Sequence, residues 1–225
     1  MAQFDLKLGD CIEIMKTMDL SRVKLLLADP PYGKDIKTDY NARGRTALAE
    51  CSDYAQIVGD NNPFDPTPFL GFPIVVLFGA NYYADKLPIS GGWIVWDKLN
   101  GLESKRTWGF NDNSDCELIW TNVGDAARIL RHRWMGAMKE SERGERRVHP
   151  TQRPIELMKK IIEHYTSPGD VVLDPYAGSG PVGVACMQTG RDYIGMEISE
   201  HNFEIAKTRI ATERLRVQLQ MGEKS

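Results

Sequence analysis

The segment from Val171 to Ile198 restricts the fold of this chain more than any other part of the sequence. The apolar run Val171–Leu173 leads into the glycine-rich stretch DPYAGSG (174–180), then into an apolar segment that Gly190 would cap, and then into a second apolar run ending near Glu197. Glycines after a strand permit a sharp turn into a helix, and a further strand returns the chain to the same sheet. The pattern predicts a strand–loop–helix–strand unit.

Further apolar runs of similar length support an α/β fold. Short runs bounded by turn residues predict strands at 23–28, 73–80, 91–97 and 116–123. Helical spacing predicts helices at 154–165, 182–189 and 201–220, and a short helix near 48–57. Strands that alternate with helices indicate a single-domain, doubly wound, mostly parallel sheet of the Rossmann-like type over residues 1–225.

The bulk composition excludes several classes of protein. With 225 residues, 42% of them hydrophobic, the chain can bury a full core. No apolar stretch approaches the length of a membrane span and no signal peptide is recognised, so we expect a cytoplasmic protein. The four cysteines are far apart, which argues against a metal site. The net charge of -3 argues against a protein that coats nucleic acid without specificity.

The glycine loop suggests a nucleoside-containing ligand. Gly178 and Gly180 would let the backbone approach a ligand, and Glu197, at the end of the next strand, could accept hydrogen bonds from a ribose diol. Pro181 removes an N–H that a pyrophosphate would need, and Asp174 would repel a diphosphate but attract an ammonium group. These details favour S-adenosylmethionine over a dinucleotide, with a dinucleotide oxidoreductase as a distant alternative.

The tetrapeptide Asp29-Pro30-Pro31-Tyr32 follows the buried run 23–28. Two prolines stiffen the loop, and Pro31 has no N–H to compete for the Pro30 carbonyl. A carboxylate and a rigid carbonyl can accept both hydrogens of an amino group, and Tyr32 offers a ring for stacking. If the strands that carry Asp29 and Asp174 are neighbours where the strand order reverses, amine and cofactor share one crevice.

The whole arrangement resembles the amino-type DNA methyltransferases, which act on adenine N6 or cytosine N4, in the permuted branch where the DPPY segment precedes the cofactor-binding half. The resemblance extends over most of the chain. Its further motifs are Gly9-Asp10-Cys11, FGAN (78–81), GGWIVWD (91–97), HPTQRP (149–154), VLDPYAGSG (172–180) and GMEI (195–198). Tyr176 departs from the pattern, because phenylalanine is commoner at that position.

The resemblance implies roles for individual residues. The catalytic residues would be Asp29, Pro30, Pro31 and Tyr32. The residues that bind S-adenosylmethionine would be Asp10, Cys11, Asp29, Thr151, Arg153, Asp174, Pro175, Tyr176, Ala177, Gly178, Ser179, Gly180, Glu197 and Ile198. No metal is expected, since the sulfonium donor is already activated. Residues 1–123 would form the catalytic half and 149–225 the cofactor half, in a bacterial or phage-encoded protein of restriction-modification type.

Residues 124–148 are predicted to be a short basic arm. Between 128 and 147 lie seven basic and three acidic residues, which we call the basic segment; it is either a phosphate-contacting arm or a solvated helix. Trp134 within it could wedge into stacked bases, but packing in a core is favoured. The candidate DNA contacts are Lys34, Lys37, Arg43, Arg128, Arg131, Arg133, Arg146 and Arg147.

Several alternatives stay open on the sequence. Aspartate as the first residue of the tetrapeptide favours adenine over cytosine. An RNA substrate would keep the same chemistry, and a catalytically silent nucleic-acid-binding subunit is the alternative from another class. The small space between Val123 and His149 leaves a short or loose DNA sequence preference, or recognition by a homodimer. The target base must leave the duplex to reach such a pocket.

Overall fold

The computed structural model describes residues 2–35, 57–102, 114–135, 138–143 and 152–222 of the chain. Eight strands form one sheet in the spatial order β1-β10-β9-β2-β3-β5-β4-β6. These strands are β1 (Phe4–Leu8), β2 (Val23–Ala28), β3 (Ile74–Phe78), β4 (Trp93–Asp97), β5 (Cys116–Thr121), β6 (Arg128–Arg131), β9 (Val171–Asp174) and β10 (Asp192–Glu197).

All neighbouring pairs in this sheet are parallel except the two that β5 makes with β3 and β4. The helices are α1 (Cys11–Met15), α2 (Ile155–Tyr165), α3 (Pro181–Thr189) and α4 (Glu200–Gly222), and a hairpin pairs β7 (Trp134–Met135) with β8 (Met138–Lys139). The predicted mostly parallel α/β sheet is therefore confirmed. Among the helices of the described ranges, none combines the length and apolarity that a bilayer span requires.

The central strands are apolar on both faces because both faces are covered. In β2, Leu25 and Leu27 pack in a cluster with α2, α3 and α4, whereas Leu26 and Ala28 pack in a second cluster with Cys11 of α1 and the aromatic residues of the 64–83 segment. Successive side chains of a strand point to opposite faces, so a strand between two layers loses the alternation of polar and apolar residues. This explains the uninterrupted run at 25–28.

Strands β2 and β9 are direct neighbours, with Leu26 opposite Leu173. From this pair the chain proceeds outward to β3 on one side and to β10 on the other, so the strand order reverses here. Asp29 follows β2 and Asp174 ends β9, which places both carboxylates at the carboxyl edge of the sheet. The predicted meeting of the two motifs is confirmed.

The basic segment differs from the expected arm in its first part. Residues 128–131 form β6, which pairs with β4 at the border of the main sheet, because the outer side of β4 offers unpaired backbone groups to it. Trp134 of the following hairpin is 7% exposed and donates from Nε1 to the Gln152 carbonyl at 3.1 Å. The prediction that Trp134 packs in a core is confirmed.

Candidate active site

A cleft of about 440 Å³, here called the edge cleft, opens at the carboxyl edge of the sheet. Ligand pockets for small molecules commonly have about 300–1,000 Å³, so a nucleoside-sized compound fits. Predicted site residues that line it are Asp10, Cys11, Asp29, Pro30, Pro31, Tyr32, Pro175, Tyr176, Gly178, Glu197 and Ile198. A smaller cavity adjoins Asp29 and is lined also by Arg153, Asp174, Ala177 and Ser179.

The two loop glycines have different tasks. Gly178 has a φ of +53° and lines the edge cleft, and its N–H donates to Glu197 Oε2 at 2.8 Å. Gly180 also has a positive φ, of +79°, but a Cβ there would lie 3.1 Å from Ala206 of α4. The close approach at Gly180 is therefore to a helix rather than to a ligand, which the spacing of the loop does not distinguish.

Glu197 presents a carboxylate to the edge cleft. Its side chain is almost buried, and its oxygens accept backbone N–H groups, Oε2 from Gly178 and Oε1 from Ser199, both at 2.8 Å. The Asn202 side chain, which also lines the cleft, and the Ile198 N–H are further hydrogen-bond partners. A ribose diol that took the place of the Asn202 side chain would find a carboxylate acceptor there. Burial raises the pKa of Glu197, although the backbone donors oppose this shift.

Asp174 lies deeper, beneath the glycine loop. It is 2% exposed and accepts hydrogen bonds from the Tyr176 N–H at 3.2 Å and the Tyr193 hydroxyl at 3.1 Å. Burial, with the nearby charges of Glu197 and Asp29, raises the pKa of Asp174 to about 7 despite these donors. A cationic group bound beside Asp174 would relieve this unfavourable charge, so the residue fits an ammonium-bearing ligand.

Asp10 and Cys11 form the wall next to β1. Asp10 Oδ1 caps α1 by accepting the N–H groups of Ile12 and Glu13 at 2.8 and 3.2 Å. Burial raises the pKa of Cys11 to about 11, with the Tyr176 hydroxyl as a hydrogen-bond partner that lowers it. The thiol is therefore protonated at neutral pH, and Cys11 contributes shape to the cleft rather than a nucleophile.

The tetrapeptide is held by a residue that the sequence pattern did not single out. Asp60 is 4% exposed, and its Oδ1 accepts the N–H groups of Tyr32, Gly33 and Lys34 at 3.1, 3.1 and 3.2 Å. Gly33 has a φ of +76°, and a Cβ there would lie 2.8 Å from the Asn62 carbonyl. The turn at 57–62 therefore fixes the backbone of residues 32–34, at the end of the tetrapeptide.

The ring of Tyr32 is already covered on one side. It stacks on Tyr82 with 5.2 Å between centroids, and Gly79 leaves room for it, since a Cβ there would overlap the ring. The Tyr32 hydroxyl donates to Asp29 Oδ1 and accepts from Arg153 Nη2. Any stacking on a base must use the remaining face of the ring.

The guanidinium of Arg153 is paired with two carboxylates, those of Asp29 and Glu117. Its Nε and Nη2 donate to Asp29 Oδ2 and Oδ1 at 2.7 and 2.9 Å, and its Nη1 donates to Glu117 Oε1 at 2.8 Å. Lys98 Nζ contacts the same Glu117 oxygen at 3.1 Å. Burial alone would raise the pKa of Glu117, but the charges of Arg153 and Lys98 hold it below its ordinary value. Glu117 was not predicted as part of the site.

The edge cleft also has a wall of aromatic and proline residues, which was not among the predictions. Phe64 and Phe69 are buried and stack on each other, and both make edge contacts with Tyr176. Pro63 and Pro68 line the cleft beside them. Only the composition of this segment, rich in proline and phenylalanine, could have indicated a rigid apolar wall.

The candidate DNA contacts are only partly visible. Lys34 is exposed beside the tetrapeptide, Arg128 and Arg131 are exposed on β6, and Arg133 is half-buried. Arg131 lies 3.5 Å from Asp97. The candidates Lys37, Arg43, Arg146 and Arg147, the cofactor candidate Thr151 and the predicted helix near 48–57 lie outside the described residues.

Within the described ranges, the acidic and sulfur- or imidazole-bearing side chains form no group of three or more that could hold a metal ion.

Comparison with known proteins gives a consistent result. Residues 89–208 match the N6/N4 family model, described as DNA methylase. The methylase YubD of Escherichia coli K12 is 28% identical over 220 residues, covering 90% of this chain and 88% of that protein. The DNA adenine methyltransferase YhdJ of the same strain is 24% identical over 250 residues, covering 90% and 81%.

Two solved structures share the fold. The complex of M1.HpyAVI with SAM has a TM-score of 0.56 and 25% identity, and covers 92% of this chain and 99% of that one. The cytosine-N4-specific PvuII DNA methyltransferase has a TM-score of 0.59, covering 96% of this chain and 93% of that one, at 15% identity.

Proposed function

This chain belongs to the N6/N4 family of DNA methylases, which are S-adenosylmethionine-dependent DNA methyltransferases, and we propose that it methylates N6 of an adenine turned out of the DNA stack. The observation that carries the proposal is the shared position of Asp29, which lines both the edge cleft and the small cavity above Asp174. An amino group at Asp29 would therefore adjoin the cofactor site.

The proposed cofactor site is the edge cleft together with the smaller cavity that adjoins it at Asp174. Glu197 would accept the ribose hydroxyls, Asp174 would balance the charge of the aminoacyl part, and Asp10 with Ile198 would flank the adenine. S-adenosylmethionine supplies a methyl group that its sulfonium already activates. The remaining task of the protein is to orient the acceptor amine and to exclude water, which can lower a barrier by about 7–11 kcal/mol when reactants are well aligned.

Asp29 and the Pro30 carbonyl would hold the amino group. Each accepts one amino hydrogen, which draws the nitrogen toward tetrahedral geometry and exposes its lone pair. After transfer, the nitrogen carries an extra proton, which Asp29 is placed to accept. Tyr32 would support the base with its uncovered face, since base–aromatic stacking contributes about 1–3 kcal/mol.

Adenine rather than cytosine is supported by two observations. The tetrapeptide begins with aspartate, and the relative YhdJ, which aligns over most of this chain, is described as an adenine methyltransferase.

Exposed basic side chains at the carboxyl edge of the sheet, Lys34 and Arg131, would contact the DNA phosphates. Turning a base out of the duplex costs a few kcal/mol, which such contacts can offset.

Product analysis tests the proposal. Purified protein is incubated with labelled S-adenosylmethionine and either duplex DNA of mixed sequence or RNA, and the digested nucleosides are separated. We expect N6-methyladenine from DNA. Exclusive N4-methylcytosine, or transfer to RNA and not to DNA, would overturn the proposal.

The Asp29→Ala variant is the matched control for this experiment. Because Asp29 would hold the amine, we expect methyl transfer to be lost while the dissociation constant for S-adenosylmethionine changes little. A collapse of cofactor affinity in this variant would show that the proposed division between Asp29 and the glycine loop is wrong.

A further inference from the structure

The guanidinium of Arg153 joins two carboxylates that come from different strands. Asp29 follows β2, and Glu117 lies at the start of the antiparallel strand β5, so both reach the carboxyl edge of the sheet. Arg153 precedes α2 and uses three of its nitrogens on these two partners. A planar guanidinium with two bonds to one carboxylate fixes its orientation as well as its position.

Aromatic rings hold the guanidinium in place. Its central carbon lies 5.4 Å from the centroid of Phe78 and 5.6 Å from that of Trp96, and the Arg153 side chain is only 11% exposed. Lys98 contacts the same Glu117 oxygen as Arg153. Charges therefore alternate along Asp29, Arg153, Glu117 and Lys98, and each group restricts its neighbour.

The acceptor positions of Asp29 are mostly filled by this arrangement. Oδ1 accepts from Arg153 Nη2 and from the Tyr32 hydroxyl, and Oδ2 accepts from Arg153 Nε. An ionised carboxylate has about four acceptor positions, two on each oxygen. Among the described residues, one position remains, and it is on Oδ2.

A contribution to folding stability does not explain why these charged side chains are brought together in a mostly buried place. Buried ion networks often contribute no more than apolar side chains of the same size would. In addition, Glu117 Oε2 is buried without a hydrogen-bond partner among the described residues, which is unfavourable. Orientation of Asp29 explains why the charges are arranged in this way.

We propose that Arg153 and Glu117 are positioning residues that turn the Asp29 carboxylate so that its one open acceptor position, on Oδ2, receives the amino hydrogen of the target base. This inference rests on the proposed role of Asp29. It assigns Arg153 to the amine side of the site, whereas the family resemblance assigns it to the cofactor.

The test compares Arg153→Lys and Glu117→Gln with the unaltered protein. Single-turnover methyl transfer is measured at saturating DNA and cofactor, and cofactor affinity is measured by calorimetry. Because a misplacement of about 1 Å can cost about 100-fold in rate, we expect the rate to fall about 10- to 100-fold while the cofactor dissociation constant stays within about threefold. A rate that is unchanged at saturation, with the dissociation constant raised about tenfold, would overturn the proposal.

A double-mutant cycle shows whether Arg153 acts through Asp29. In an Asp29→Asn background, which retains the shape of the site and whose rate is measured first, Arg153→Lys is expected to cost less than about threefold more. Fully additive losses would contradict the proposal. If Arg153→Lys does not fold, the same cycle is made with Glu117→Gln.

Arg191→Lys is the control for loss of a buried guanidinium. Arg191 is 6% exposed at the start of β10, at the opposite edge of the sheet, and bonds the Thr166 hydroxyl and carbonyl. The Arg191→Lys variant should have a lower melting temperature and an unchanged methylation rate.

The two proposals fail in different ways. Methylation of a base other than adenine would count against the proposed function. Full activity of the Arg153 and Glu117 variants, on whichever base is methylated, would count against their positioning role.

Discussion

At the scale of single residues, the site depends on how each carboxylate is compensated. Asp29 has a guanidinium, Asp60 has three backbone N–H groups, and Glu197 has backbone N–H groups together with the Asn202 side chain. Asp174 has only a tyrosine hydroxyl and one N–H in a fully buried position. It is therefore the carboxylate whose ionisation depends most on a bound ligand, and burial raises its pKa to about 7.

This raised pKa predicts that cofactor binding depends on pH. Only the ionised form of Asp174 can pair with an ammonium group, and the ionised fraction grows as the pH rises through about 7. The ammonium group of the cofactor itself loses its proton at a pH of about 8, so both charges are present together mainly near a pH of about 7. The affinity for S-adenosylmethionine should therefore increase about fivefold between pH values of about 6 and 7, with release of a proton on binding. Calorimetry in buffers of different ionisation heat measures both effects.

The Asp174→Asn variant serves as the comparison for the pH measurement. The amide cannot titrate, so binding should be weaker and should no longer depend on pH in this range. An equally steep pH dependence in Asp174→Asn would assign the proton to another group, of which Glu197 is the nearest candidate, because burial raises its pKa too.

The residues that the sequence predicted and those it missed differ in one physical respect. Asp29, Gly178 and Glu197 were predicted because each lies at the end of its strand or in the loop that follows it, so local sequence reports their position. Asp60 and Glu117 act on Tyr32 and Arg153 across 28 and 36 residues, and no local pattern encodes such contacts. Arg153 was predicted to be in the site, but its partners depend on where β5 lies in the sheet.

At the scale of elements, the strands that could be predicted are those whose burial is visible in their own local sequence. The interior strands β2, β3 and β9 were predicted because burial on both faces makes them apolar, apart from Lys24 near the start of β2 and Asp174 at the end of β9. Strand β6, with the sequence RILR, lies at the border of the sheet and carries exposed arginines at both ends, so its composition indicated a solvated segment. Its place next to β4 is a tertiary effect.

The loop of residues 29–34, which contains the proposed catalytic tetrapeptide, provides a test at this scale. Asp60→Ala removes the acceptor of three N–H groups, and hydrogen bonds to a charged group contribute about 1.5–3 kcal/mol. We expect a loss of unfolding free energy of about that size and a lower methylation rate, because the backbone at 32–34 is no longer fixed. Urea unfolding and single-turnover rates measure the two effects.

Asp19→Ala is the control for the loop variant. Asp19 is exposed, and its hydrogen bonds are to the nearby Ser21, from the N–H at 3.0 Å and from the side chain. Its loss should change the unfolding free energy by less than about 1 kcal/mol and leave the rate unchanged. If Asp60→Ala lowered stability but retained the full rate, the 57–62 turn would support the fold without positioning the loop of residues 29–34.

At the scale of the whole molecule, the parallel sheet decides which basic residues can contact DNA at the cleft. The carboxyl ends of β2, β9, β10 and β6 lie at one edge, because these strands all run in the same direction. Arg131 ends β6 at this edge, opposite Asp97 of β4, and Lys34 follows β2 there. Arg128 begins β6 and therefore lies about 10 Å farther from the edge.

The salt dependence of DNA binding tests this geometry. Each phosphate contact contributes about 0.9 to the slope of log affinity against log salt concentration, so Arg131→Gln and Lys34→Gln should each reduce the slope by nearly that amount. Arg128→Gln should reduce it less, because of its distance from the edge. Arg216→Gln is the control, since Arg216 lies near the far end of α4 and pairs with Glu213. An equal effect of the Arg128 and Arg131 variants would show that DNA lies along β6 rather than across the carboxyl edge.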